Sequence, residues 1–194
     1  MKKLKVCIDA GHGWGNRLGG KYDPGCVRGS IEEAQLTYQY AHDVAQKLRC
    51  LGVEVYETRM VPQMPAPVWG RAAAAMREKC HALVSFHVND AESPKANGVE
   101  TWYETTRSLP LATMMQQTLV LITGFRDRGV KQHDELSAVL EFQGGPSILM
   151  ELGFIDHDGN REFLVQGKNQ LMLVDAIAAT ITHWWKEEAD GLPF

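Results

Sequence analysis

At 194 residues with a formal net charge of −4, the chain suits one sizeable core and gives no support to nucleic-acid binding, which draws on clustered Lys and Arg. Lys2, Lys3 and Lys5 precede an apolar run that stops at Asp9, far short of a signal-peptide core or the roughly 20 residues of a membrane span. Cys7, Cys26, Cys50 and Cys80 are scattered with no CxxC pair, so reduced thiols are expected.

Val6-Cys7-Ile8-Asp9 reads as a strand that ends on an acid and then presents His12 between Gly11 and Gly13. Glycine on both sides frees the backbone to turn and lets another group come close. Gly13 to Ser30 is rich in Gly with Pro24 among them, a loop of the length that often carries function. Ser30-Ile31-Glu32-Glu33 opens a helix whose Ala34, Tyr38, Ala41, Ala45 and Leu48 recur at three- and four-residue steps until Gly52. Val53 to Thr58 alternates as a strand, and after the link Pro62 to Pro67 a helix is expected from Trp69 to Cys80.

Leu83 to Val88 is the next strand and again delivers a histidine, His87; Gly98 to Tyr103 follows as another. Ser108 and Pro110 make a helix start for the segment carrying Leu111, Met114, Met115, Leu119 and Ile122. Short strands are expected at Ser137–Leu140 and Ser147–Glu151. The last helix, Lys168 to Lys186, places Leu171, Val174, Ile177, Ile181 and Trp184 on one stripe. Strands alternating with helices argue for a single α/β domain over residues 1–194, a twisted, mostly parallel (mixed) sheet with helices on both faces. Neither repeat nor linker marks a second domain.

In open α/β sheets functional groups gather at the carboxyl ends of strands and the amino ends of the helices that follow. His12, His87 and Glu151 fall at or just past strand ends, and Glu33 in the first turn of a helix. Two imidazoles and a carboxylate, with water in the fourth position, form a catalytic zinc shell. Plainer readings stand beside this one: Ser30-x-x-Glu33 also has the spacing of a capping box, and His87 could be a core histidine. Glu151 is harder to explain structurally, because it directly follows Ile148-Leu149-Met150 and an acid ending a buried strand needs a partner.

Six segments then resemble, in order, the motifs of one family: Ile8 to Gly13, Asp23-Pro24-Gly25, Ser85-Phe86-His87-Val88-Asn89, Gly98 to Tyr103, Arg128-Gly129-Val130-Lys131, and Glu151 to Ile155. The resemblance is to the zinc-dependent N-acetylmuramoyl-L-alanine amidases that cut peptidoglycan, bacterial autolysins and phage endolysins among them. It implies His12, Glu33 and His87 as ligands of one Zn2+, with Glu32 as the fallback for Glu33, and Glu151 as catalytic acid/base. Asp9 is a candidate acceptor for the far nitrogen of a ligand histidine, and Asn89, Arg71 and His133 are candidates for substrate contact or for bracing the loops. Met76, Leu140-Glu141 and Val88 depart from residues frequent in the family, none of them at a proposed ligand.

The substrate implied is the amide between N-acetylmuramic acid and L-alanine. Two competing readings are an inactive peptidoglycan-binding module and a zinc carboxypeptidase acting on stem peptides. With neither export signal nor wall-binding repeat, the chain resembles a compact phage or prophage endolysin, monomeric, held in the cytoplasm until release; an autolysin of sporulating cells, or one released by cell lysis, is the alternative. The absence of an inserted helix between Asn89 and Gly98 leads to the expectation of an open site.

Overall fold

The computed structural model describes residues 3–93, 95–132 and 140–191. In chain order the strands are β1 (Lys5–Ala10), β2 (Gly13–Trp14), β3 (Tyr22–Asp23), β4 (Val27–Arg28), β5 (Ile31–Glu32), β6 (Glu54–Glu57), β7 (Ala82–Asn89), β8 (Val99–Tyr103), β9 (Asp127–Gln132) and β10 (Ser147–Phe154). The helices are α1 (Glu33–Cys50), α2 (Val68–Arg77), α3 (Leu109–Thr123), α4 (Asp158–Val165) and α5 (Gly167–Gly191). The main sheet has six strands in the order β6-β1-β7-β10-β8-β9; β2 pairs with β3 and β4 with β5 in two small hairpins. Every main-sheet pairing is parallel except that of β10 with β8, so the expected mixed, mostly parallel sheet is present.

Side chains alternate across a strand, and that period of two builds two cores. Val6 and Ile8 of β1, Val84 and Phe86 of β7, and Ile148 and Met150 of β10 are buried on one face, packed with residues of α1, α3 and α5. Cys7, Leu83 and Leu149 point to the other face, against Ala72 and Ala75 of α2 and Phe142. Helices therefore cover both faces. The same alternation puts Asp9, Ser85, His87 and Glu151 on the α2 face, toward the carboxyl ends of β1, β7 and β10.

Several local expectations change. Ser30 does not cap α1: Ile31 and Glu32 pair with Arg28 and Val27 in the β4–β5 hairpin, so the helix starts at Glu33 without a side-chain cap. The buried stripe of α1 runs through Ala34, Thr37, Ala41, Val44 and Leu48, with Tyr38 only half-buried. Ser108 precedes α3 but already has helical dihedrals and so cannot cap it; its hydroxyl accepts from Ser147 N instead. In α5, Val174, Ile177, Ile181 and Trp184 are buried as expected, but Leu171 is exposed and Leu173 takes the inward position. The segment Arg128 to Lys131 is the centre of edge strand β9. Of the strand expected at Ser137–Leu140, residues 137–139 lie outside the described residues, and Leu140 lies in a turn. None of the four cysteines forms a disulfide. Among the described residues, no helix is long and apolar enough to cross a membrane.

Candidate metal centre and its surroundings

The chain leaves β1 through His12, whose φ of 59° is left-handed and is tolerated because its neighbours impose no side chain on the turn. Each flanking glycine makes room for a particular group. A Cβ on Gly11 would collide with the ring of His87, and one on Gly13, itself at φ 92°, with the guanidinium of Arg59. The close approach anticipated at the glycines is therefore made by two of the chain's own side chains.

His12 Nε2 lies 3.0 Å from Glu33 Oε2, and His87 Nδ1 lies 3.0 Å from Glu33 Oε1. The ligand-capable atoms of His12, Glu33 and His87 all fall within 4.8 Å of one another. Glu33 reaches the cluster from the start of α1, on the opposite side of the sheet, because Cys26 N donates to its Oε2 and Val88 N to its Oε1. Burial opposes its charge, but the two histidines hold the Glu33 carboxyl well below the usual carboxylate range. Glu32 is outside the cluster, accepting from the Tyr22 hydroxyl and the Gln35 amide.

A ligand histidine is oriented by a partner on its other nitrogen. For His12 that partner is Asp23, whose Oδ2 lies 3.1 Å from Nδ1, and not Asp9. Asp23 is held in turn by Asn16 Nδ2 at 2.6 Å and by Gly25 N. Burial favours its neutral form, yet these donors and His12 bring the Asp23 carboxyl down to about 2. His12, although buried, is shifted toward its cation by hydrogen bonding and charge from Glu33 and Asp23. Asp23 belongs to Asp23-Pro24-Gly25, and the bond from Gly25 N to its own side chain is the turn chemistry that could have marked it.

Asp9 and Arg71 form a different structure. Arg71 Nη1 donates to Asp9 Oδ1 at 3.0 Å, Ser85 Oγ and Thr58 Oγ1 donate to the same carboxylate, and the pair is 2% and 0% exposed. Arg71 also holds the carbonyls of Ala10, His12 and Ala66. It braces the loop that carries His12 from beneath and is too deep to touch a substrate. Asn89 likewise turns from the centre, donating to Glu100 Oε1.

Glu151 lies between His87 on β7 and Glu100 on β8 in the strand register. Its Oε2 is buried with no hydrogen-bond partner, an expensive state for a group on a structural element. Burial, reinforced by the charges of Glu33, Glu100 and Asp90, pushes its carboxyl well above the usual range. Glu100 is the opposite case: Trp102 Nε1, Arg128 Nε and Lys131 Nζ all donate to it, and the two cations keep it ionised despite burial. Glu100 lies within the Gly98-to-Tyr103 motif, but nothing in the sequence gives it a role of its own. His133 lies outside the described residues.

The donor set fits zinc: two imidazoles and one anionic carboxylate, with further coordination left to water or substrate. A nearby carboxyl with raised proton affinity and an unused oxygen is a candidate general base.

Known proteins resemble the chain over most of its length. The family model described as N-acetylmuramoyl-L-alanine amidase matches residues 6–183. The Bacillus subtilis (strain 168) protein YqiI is 32% identical over 186 residues, 94% of this chain and 85% of that protein. N-acetylmuramoyl-L-alanine amidase LytC of the same organism is 29% identical over 165 residues, 83% of this chain but 31% of LytC. Among solved structures, the N-acetylmuramoyl-L-alanine amidase from Clostridium difficile 630 superimposes with a TM-score of 0.85 at 28% identity, over 96% of this chain and 98% of that one. AmiC2 of Nostoc punctiforme gives 0.84 at 28% identity, over 95% and 98%.

Proposed function

Because the chain belongs to the N-acetylmuramoyl-L-alanine amidase family, we propose that it hydrolyses the amide joining N-acetylmuramic acid to L-alanine in peptidoglycan, with His12, Glu33 and His87 holding one zinc ion and Glu151 moving the protons. The observation that carries this reading is the His12–Glu33–His87 donor set, with Glu151 in register beside His87 and its Oε2 buried without a hydrogen-bond partner.

An amide resists water because resonance protects its carbonyl. Zinc, when bound, supplies Lewis acidity that polarises a carbonyl and makes water nucleophilic near neutral pH. The protein's part is positional and protonic. Asp23 fixes the tautomer and orientation of His12, and Glu33 brings the carboxylate across the sheet end. Glu151 takes a proton from the attacking water and returns it to the departing amine of L-alanine, which must leave protonated. Its buried Oε2, which no group of the protein occupies, is free to take part in both halves of that exchange. The Asp9–Arg71 pair and the Glu100 cluster hold these groups in place.

Purified peptidoglycan digested with the zinc-loaded protein should release stem peptides with free L-alanine amino termini, detectable by mass spectrometry, and a chelator should abolish the release. Release of D-alanine alone would instead indicate a carboxypeptidase. Peptidoglycan bound but left intact by the zinc-loaded protein would indicate an inactive module.

A further inference from the structure

A cleft of about 540 Å³ opens beside the metal centre, between the β2–β3 hairpin, the outer face of α1 and the segment after β6. That volume is within the roughly 300–1,000 Å³ of small-ligand sites. One wall is aromatic: Trp14, 43% exposed, and Tyr22 sit as cross-strand partners with ring centroids 5.4 Å apart. Tyr38 faces the cleft from α1. The neighbouring pair in the same hairpin is Gly13 with Asp23, and Asp23 orients His12, so the aromatic wall is one register step from the centre. Ala34, in the lining, directly follows Glu33.

The polar groups of the cleft define its ligand. Arg59, its cation, is spent on the carbonyls of Gly11 and Ala34 and lies 5.7 Å from the Tyr38 ring centroid. The Asp43 carboxylate and the Gln63 amide make no hydrogen bond with any described residue and remain available. Exposed aromatic faces suit the C–H faces of pyranose rings, and a carboxylate and an amide suit pairs of hydroxyl and acetamido groups. Stem-peptide carboxylates would find no exposed Lys or Arg here, since Arg59 is buried. The cations near the centre, Arg128 and Lys131, stand on its far side around Glu100.

We propose that this cleft is a glycan subsite that seats an N-acetylhexosamine of the strand next to the muramoyl unit being cut, with Trp14 and Tyr22 as the stacking platform and Asp43 and Gln63 as hydroxyl and acetamido contacts. The inference rests on the peptidoglycan amidase reading but can be tested apart from it. Seating the glycan in the cleft directs the stem peptide across the metal centre toward Arg128 and Lys131. Preference for a muramoyl-peptide within a glycan strand over one without a neighbouring sugar would then arise from residues that touch no reacting atom.

The probe is chitotetraose, a β-1,4-linked N-acetylglucosamine tetramer that has no peptide and no bond an amidase could cut. The zinc-loaded, nitrogen-15-labelled protein has five tryptophans, and the indole resonance of Trp14 is identified by its loss in Trp14→Phe. Titration should shift that resonance saturably, and Asp43→Asn and Gln63→Ala should each weaken binding by about tenfold while melting like the parent protein. A change of that size corresponds to about 1.4 kcal/mol. If the protein releases stem peptides but chitotetraose leaves Trp14 unmoved, the subsite is wrong and the amidase reading stands. Shifts confined to other tryptophans also overturn it. Binding at Trp14 without hydrolysis of peptidoglycan supports the subsite and counts against the amidase reading.

Discussion

Replacing Arg71 with methionine tests whether the loop bearing His12 is held from below by a buried charge. The substitution keeps an apolar stem but removes the donors to Asp9 at 3.0 and 3.2 Å, to Ala10 O at 2.8 Å and to His12 O at 2.9 Å. The Asp9 carboxylate is fully buried, so the loss strands a charge that water cannot reach. Breaking one partner of such a pair costs about 3–5 kcal/mol. Ser85 and Thr58 still donate to Asp9, which favours the lower half of that range. For a domain of this size, roughly 2–4 °C of melting temperature per kcal/mol gives a fall of about 6–16 °C. Thermal unfolding followed by circular dichroism measures it. Because the stranded charge is the main penalty, Asp9→Asn combined with Arg71→Met should melt higher than Arg71→Met alone. A loss below about 1 kcal/mol for Arg71→Met, or a double variant no better than the single one, would show that the buried charge pair does not hold the loop.

Gly11→Ala places a methyl group against the His87 ring; zinc affinity, measured by chelator competition, should fall about 10–100-fold, the scale on which ligand-orienting contacts act, with secondary structure retained. Glu33→Ala should lose stoichiometric zinc, whereas Glu32→Ala, which changes only contacts to Tyr22 and Gln35, should keep it. In the metal-free protein the Asp23 carboxyl is lowered from its ordinary 3.8 to about 2. Its stabilising effect is therefore present above pH 3.8 and lost as pH falls toward 2. Asp23→Asn should be less stable than the parent protein by about 1 kcal/mol at pH 6, allowing for solvent screening, with the gap in urea midpoints closing below about pH 4.

The residues His12, Glu33, His87 and Glu151 could be picked out from the chain because each follows from a strand end or a helix start, and parallel sheets bring those ends together. Their surroundings were less visible. Asp9 and Asp23 are both close to His12 in sequence, and only the left-handed turn at His12 with the β2–β3 hairpin decides that Asp23 meets the ring. Glu33 looked like a cap because Ser30 stands three residues before it, but pairing of Ile31 with Arg28 delays the helix and frees the carboxylate. Strand β9 escaped because Asp127-Arg128-Gly129 breaks the apolar alternation; its Arg128 and Lys131 serve Glu100, Asp127 accepts from Gln116, and Gln132 donates to the Glu104 carbonyl. Helix α4 is eight residues long and begins with His157 accepting from Asn160 N, a cap outside the common residue types.

In the proposed mechanism the metal is held by one set of groups and the protons are moved by another, and Glu151→Gln separates the two. Zinc content per chain and the rate of stem-peptide release from peptidoglycan should be measured on the same preparation. The Glu151→Gln protein should carry one zinc per chain, as the parent protein should, with turnover reduced at least about 100-fold, the lower end of what a positioned acid/base contributes. A Glu151→Gln protein that cuts at the parent rate would contradict the mechanism, as would loss of the metal along with activity.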